Sequence, residues 1–250
     1  QLSQLLLPHV LKMVLGQGDG FIVHSQADEA ILQSYLPQAR VVVSPLPTYA
    51  ELGEGATVEL PVDLPEDRPL LLFCGLVRPY KGLDVLLEAL ALVEQPVHLL
   101  VAGEFWQGSR ASYEAQIDRL GLTNCVTIID DYLPDELLAA CIDRANVVVL
   151  PYRSATQSAV VQTAFGRGKP VITTNVGGLA EVVENGRTGL VVPPENPSAL
   201  AAAIDKYFSQ DLERVFSKNV GEGNGRFSWP ALIKHLESLT SLEVASASLS

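Results

Sequence analysis

Phe73-Cys74-Gly75-Leu76-Val77-Arg78-Pro79-Tyr80-Lys81-Gly82-Leu83-Asp84-Val85-Leu86-Leu87-Glu88-Ala89-Leu90 is the stretch that decides the fold. It follows an apolar run, Leu70–Phe73, that reads as a buried strand, and it turns through a tight loop into an amphipathic helix. Leu83, Leu86, Leu87 and Leu90 recur at helical spacing. Gly75 permits a close backbone approach. Arg78 and Lys81 place two cations in the loop at the strand's C-terminal end, where open α/β sheets bind ligands. Two positive charges beside a helix N-terminus, with its unpaired amides, suit a phosphate-bearing ligand. A merely solvated basic loop is the alternative.

Outward from this stretch, the chain alternates. Strand-like runs fall at Phe21–His24, Val41–Val43, Val97–Ala102, Val126–Ile129, Val147–Leu150, Val171–Thr173 and Leu190–Val192. They are short, rich in β-branched residues and apolar on both faces, as strands of a buried parallel sheet are. Helical patterns at 83–92, 112–120, 134–144, 159–168 and 197–208 separate most of them. The alternation predicts βαβ units and an α/β fold with a doubly wound, Rossmann-like parallel sheet. Asp135 and Glu136 after Pro134, and Asn196 before Pro197, are expected helix starts.

The chain of 250 residues is 48% apolar and carries a formal charge of −12. It is long enough for a real core. Its acidity argues against nucleic acid as a partner, because phosphate backbones demand clustered Lys and Arg. Against that background, Arg78 and Lys81 in one loop stand out. Cys74, Cys125 and Cys141 form neither a metal pattern nor an even-numbered framework, and are expected as reduced residues of a cytoplasmic protein. No apolar run reaches the length of a membrane span, and the first residues lack a signal peptide's features. His9, His24, His98 and His235 show no metal-ligand spacing, and His98 is expected in a satisfied core position. No Walker A pattern or Gly-x-Ser-x-Gly elbow is present.

Three motifs, in order, carry a resemblance to a known family. The first is the opening stretch. The second is Pro151-Tyr152-Arg153-Ser154-Ala155-Thr156-Gln157-Ser158-Ala159-Val160 with its continuation to Gly168-Lys169-Pro170-Val171-Ile172. The third is Asn175-Val176-Gly177-Gly178-Leu179-Ala180-Glu181, running on to Asn185-Gly186. Together they resemble the donor domain of retaining glycosyltransferases of the GT-B fold, family 4 type, from about Val41 onward.

The resemblance implies a nucleotide-sugar donor, carrying UDP or GDP, as substrate. It implies no cofactor, no metal, and transfer of a hexosyl group to an unknown acceptor, a sugar or a lipid-linked sugar. Arg78 and Lys81 would hold the diphosphate and serve as the catalytic charges. The family's Arg position is occupied by Leu76, so Arg78, two residues later, takes its place. Gly75, Tyr132, Thr156, Gln157, Ser158, Ala159, Val160 and Thr163 are the expected donor-binding residues. Tyr132 would lie near the base. Thr156 or Gln157 would touch the sugar, and Ser158, Ala159 and Val160 open the helix that faces the ligand. Family members carry two glutamates here. Counting back from Gly168, their places fall on Ala155 and Thr163, and only a hydroxyl remains for the ribose. The loss of both acids keeps open a second reading, a non-catalytic nucleotide-sugar-binding or partner module.

The same resemblance sets the expected domains. Residues 1–36 would be the remnant of an N-terminal acceptor domain, and 37–68 a linker with a first strand. Residues 69–242 would be the donor domain, with the stretch from Phe227 to Leu239 crossing back toward the first domain, and 243–250 a frayed tail. A chain opening on Gln1 is read as a fragment, inactive alone and lacking the rest of the acceptor domain. The full-length protein would be cytoplasmic, peripheral at the membrane.

Overall fold

The computed structural model describes residues 12–53 and 58–247. They divide into two compact units: 12–47 together with 225–247, and 48–224.

The larger unit is built on a six-stranded, wholly parallel sheet. Its strands are β3 (Leu70–Cys74), β4 (His98–Ala102), β5 (Val126–Ile129), β6 (Val147–Leu150), β7 (Val171–Thr174) and β8 (Gly189–Val192). Their spatial order is β5-β4-β3-β6-β7-β8. Counting β3 as the first, this is the doubly wound order 3-2-1-4-5-6. Leu72 of β3 sits opposite Leu100 of β4 on one side and Val148 of β6 on the other. Every residue of β3, β4 and β6 is buried, as strands covered on both faces require.

Side-chain alternation sorts those strands into two layers. Leu71, Phe73, Leu99, Val101, Val147 and Val149 join one continuous core. Into it α2 (Leu83–Leu90) sends Leu83, Leu86, Leu87 and Leu90. Burying each such leucine stabilises by roughly 1.5–3 kcal/mol. Helix α3 (Arg110–Arg119) adds Tyr113 and Ile117, and α7 (Pro197–Ser209) adds Leu200, Ile204 and Tyr207. The other face of β3 carries Leu70, Leu72 and Cys74, and is covered by α4 (Asp135–Arg144). Helix α5 (Ala159–Gly166) follows β6 with Val161 and Phe165 buried. A short α6 (Leu179–Val182) and α8 (Leu212–Gly223) complete this unit. Arg167 Nη1 donates to Leu52 O at 2.9 Å, which ties part of the expected linker to the end of α5.

In the smaller unit, β1 (Phe21–Val23) and β2 (Val41–Val43) form a two-stranded parallel sheet flanked by α1 (Gln26–Tyr35). Ser25 caps α1, its Oγ accepting from Asp28 N at 3.0 Å. The final helix α9 (Trp229–Ala247) belongs here too. His235 Nδ1 lies 2.9 Å from Ser44 Oγ, and Arg40 Nη2 donates to Leu239 O at 2.8 Å. Among the described residues, no helix is long and apolar enough to cross a membrane.

Candidate functional site

The loops after β3 and β6 leave neighbouring strands for helices on opposite faces of the sheet. That divergence opens a crevice. A cavity of about 470 Å³ fills it, walled by Tyr80 and Lys81 on one side and by Tyr152 and the 154–160 segment on the other. Of the residues expected from sequence, Lys81, Thr156, Gln157, Ser158, Ala159 and Val160 are brought together here.

Local backbone geometry explains the closeness of the walls. Gly75 (φ +85°) ends β3 beneath Lys81: a Cβ there would stand 3.0 Å from Lys81 Nζ and 3.7 Å from Val160 Cγ2. Gly82 (φ +71°) lies against the far wall, where a Cβ would come within 2.1 Å of Pro151 O. Only glycine adopts that conformation and that approach without strain. The Gly177-Gly178 pair clamps the 154–160 segment from behind. Gly178 N donates to Thr156 O at 3.0 Å, and a Cβ on Gly177 (φ +48°) would meet Ala155 O at 1.6 Å.

Lys81 is 7% exposed. Its Nζ faces the Tyr152 ring at 5.7 Å, and no carboxylate among the described residues pairs with it. Burial holds its pKa below the ordinary lysine range, outweighing an opposing effect of Cys74, and the Arg78 charge adds to the lowering. Such a cation is better satisfied by an incoming anion than by anything in the wall. Ser158 caps α5, its Oγ accepting from Val161 N, so the helix's first turn opens on the same cavity. Tyr152, nearly buried, hydrogen-bonds Ser158, and burial pushes its phenol well above the usual range.

The remaining expected residues lie elsewhere. Arg78 does not wall the cavity. Its guanidinium stacks 4.2 Å over Trp106, its Nε is buried without a partner, and no acid among the described residues holds it. Thr163 is buried one turn along α5, and its hydroxyl donates to Ala159 O at 2.9 Å. Tyr132 is 69% exposed in the loop after β5 and does not line the cavity. His98 corrects its expectation in part: Nε2 bonds Thr127 Oγ1 at 2.8 Å, while Nδ1 is buried without a partner. The cysteines are free, and burial pushes Cys74 up to about 12 and Cys141 to about 11. Among the described residues, no group of three or more His, Cys, Asp or Glu could hold a metal ion.

Sequence reasoning missed Gly103 and Arg153. Gly103 (φ +145°) lets the loop after β4 pass so close that a Cβ would stand 2.3 Å from Gly75 O. Its signal was present, a Gly directly after an apolar strand, as at Gly75. Arg153 makes a bidentate pair with Asp84 (2.9 and 2.6 Å) and reaches Glu195 Oε1 at 3.1 Å.

A parallel sheet wound both ways from β3 and β6, with its crevice at their C-terminal ends, defines a Rossmann-like domain. The chain belongs to the glycosyl transferases group 1 family, which residues 68–210 match. It is 29% identical over 189 residues to a D-inositol 3-phosphate glycosyltransferase of Corynebacterium urealyticum, covering 70% of this chain and 43% of that protein. A D-inositol 3-phosphate glycosyltransferase of Segniliparus rotundus matches at 29% over 244 residues, 90% of this chain and 54% of that one. The chain spans about half the length of these curated relatives. Among solved structures, sucrose-phosphate synthase from Thermosynechococcus elongatus aligns with a TM-score of 0.79 and 29% identity, over 96% of this chain and 62% of that one. Anabaena Alr3699/HepE in complex with UDP aligns with a TM-score of 0.76 at 22% identity, over 94% and 67%, and shares the fold.

Proposed function

We propose that this chain is the nucleotide-sugar-binding part of a retaining glycosyltransferase that transfers a hexosyl group from a nucleoside-diphosphate sugar to an acceptor sugar or lipid-linked sugar. One observation carries the reading: a buried lysine with no counter-ion among the described residues faces a cavity at the sheet's switch point, beside a capped helix N-terminus. The diphosphate would sit between Lys81 Nζ and the first turn of α5, and Thr156 and Gln157 would meet the sugar. As the glycosidic bond to phosphate breaks, negative charge grows on the departing diphosphate. Lys81 and the helix amides are fixed where that charge develops, so they stabilise the transition state without reorganising. Arg78 adds to the local positive potential from its perch on Trp106. No metal has a part in this reading. The UDP complexes of Anabaena Alr3699/HepE, and its complex with UDP-glucose, make uridine nucleotides the first probes. Titration with UDP, GDP and ADP should give saturable binding of at least one, lost on Lys81→Ala together with Arg78→Ala. Equal affinity in the double variant would remove the site.

A second reading is favoured by one observation. Ala155 stands in the cavity wall, and the Thr163 hydroxyl donates to Ala159 O, so neither of the family's glutamate places carries a carboxylate. The domain would then bind a nucleotide-sugar without transferring it. Sugar transfer by the full-length protein excludes this reading.

A further inference from the structure

The second motif holds a residue that touches both walls of the cavity and lines neither. Arg153 lies between Tyr152 and Ser154, which both face the cavity. Its backbone N donates to Tyr80 O at 2.7 Å. Its Nη1 donates to Pro79 O at 2.6 Å and to Asp84 Oδ1 at 2.9 Å, and its Nη2 donates to Asp84 Oδ2 at 2.6 Å. Pro79, Tyr80 and Asp84 bracket Lys81 in the chain. Nε turns the other way, to Glu195 Oε1 at 3.1 Å, on a residue held at φ +52°. A fork of this kind matches a carboxylate and a carbonyl at once and is rigid where a lysine is not.

We propose that Arg153 is a positioning residue for the diphosphate site: it fixes the turn that carries Lys81 at a set distance from the Ser158 end of α5. This rests on the nucleotide-sugar reading above. Every N–H-bearing nitrogen of the guanidinium already donates within the protein, so the residue acts through Lys81 rather than on the ligand. Asp84 supports the same geometry. Burial alone would raise its pKa, but the Arg153 hydrogen bonds and charge and its own first-turn amides outweigh that and hold it below the usual carboxylate range.

A double-mutant cycle tests the assignment. UDP, GDP and ADP are titrated into the whole chain and into R153Q, K81Q and R153Q/K81Q, with the weakest binders read by ligand-detected NMR. R153Q should weaken the nucleotide that binds by about tenfold, as small misplacements of a binding group do. In the K81Q background the same change should cost less than about twofold, because the lysine it positions is gone. A merely structural role would cost the same factor in both backgrounds, and that result overturns the proposal. So does wild-type affinity in R153Q. Should R153Q fail to fold, R153K decides: loss of affinity supports the fork, and unchanged affinity overturns it. Wild-type affinity in K81Q, or no binding by the unmodified chain, instead removes the nucleotide-sugar reading itself.

Discussion

Gly177→Ala should open the cavity from behind. An alanine at φ +48° pays about 1–2 kcal/mol for a left-handed backbone. Its Cβ would also stand 1.6 Å from Ala155 O, where 3.4 Å is an ordinary contact. One of the two loops must therefore retreat by roughly 1.8 Å, at an overpacking cost of about 1–3 kcal/mol. The Gly178 N to Thr156 O bond goes with it. A total of about 2–5 kcal/mol corresponds to roughly 4–20 °C in the melting temperature of a unit this size. Gly186→Ala is the control. It has φ +78° and nothing within 4 Å of an added Cβ, so it incurs only the backbone cost of about 1–2 kcal/mol. Calorimetry of both variants separates the two contributions, and nucleotide titration reports the cavity. Gly177→Ala should melt well below Gly186→Ala and bind more weakly. Variants that melt together would refute the close approach on which the reasoning rests.

Lys81→Met should stabilise the protein at neutral pH while weakening diphosphate binding about 10- to 100-fold, the worth of a charge-assisted hydrogen bond. Its folded-state pKa is lowered, so the unfolded chain binds that proton more tightly, and wild-type stability should rise with pH toward 10.5 along a slope the variant lacks. Matched urea midpoints at pH 7 and pH 9.5 check the sign. Asp84→Asn should cost about 1 kcal/mol at pH 7, a modest figure because the carboxylate is 40% exposed. Since the folded pKa lies below 3.8, the gap to wild type should be full above that pH and shrink as pH falls through the folded value; a gap constant down to pH 2.5 would be contrary evidence. For His98, burial lowers the pKa below 6.5, so wild-type stability should fall as pH drops through 6.5. His98→Leu should flatten that slope between pH 7.5 and 5, measured by chemical denaturation, and identical slopes would count against it.

Much of the larger unit was legible because its strands are local signals. Leu70–Cys74 and Val147–Leu150 are apolar on both faces, and burial on both faces is what they show. Caps were equally readable: Ser158 and Asn196 accept from the third residue beyond, Asn196 from Ala199 N at 2.9 Å. Helix α8, of which Phe216 and Val220 are buried, was missed although Leu212, Val215, Phe216 and Val220 recur at helical spacing. The site was legible where a motif folds onto itself, as Gly75 and Lys81 do. It was illegible where partners lie far apart in sequence. Nothing in Tyr152-Arg153-Ser154 points to Asp84, 69 residues earlier, and nothing around Gly177 announces the Ala155 carbonyl. Thr163 illustrates the converse: a hydroxyl in the right register was claimed by its own helix, a competition that helical Ser and Thr residues often enter.

Because His235 meets Ser44, and Arg40 reaches the Leu239 carbonyl, the smaller unit knots together stretches nearly two hundred positions apart. Everything from 48 to 224 is thereby a tethered ring. Cutting the knot releases both strands of the tether at once, so trimming α9 should loosen the β1–β2 ribbon as surely as damage to the ribbon itself. Anyone shortening the gene for crystallisation would do better to excise the ring whole than to shave one end.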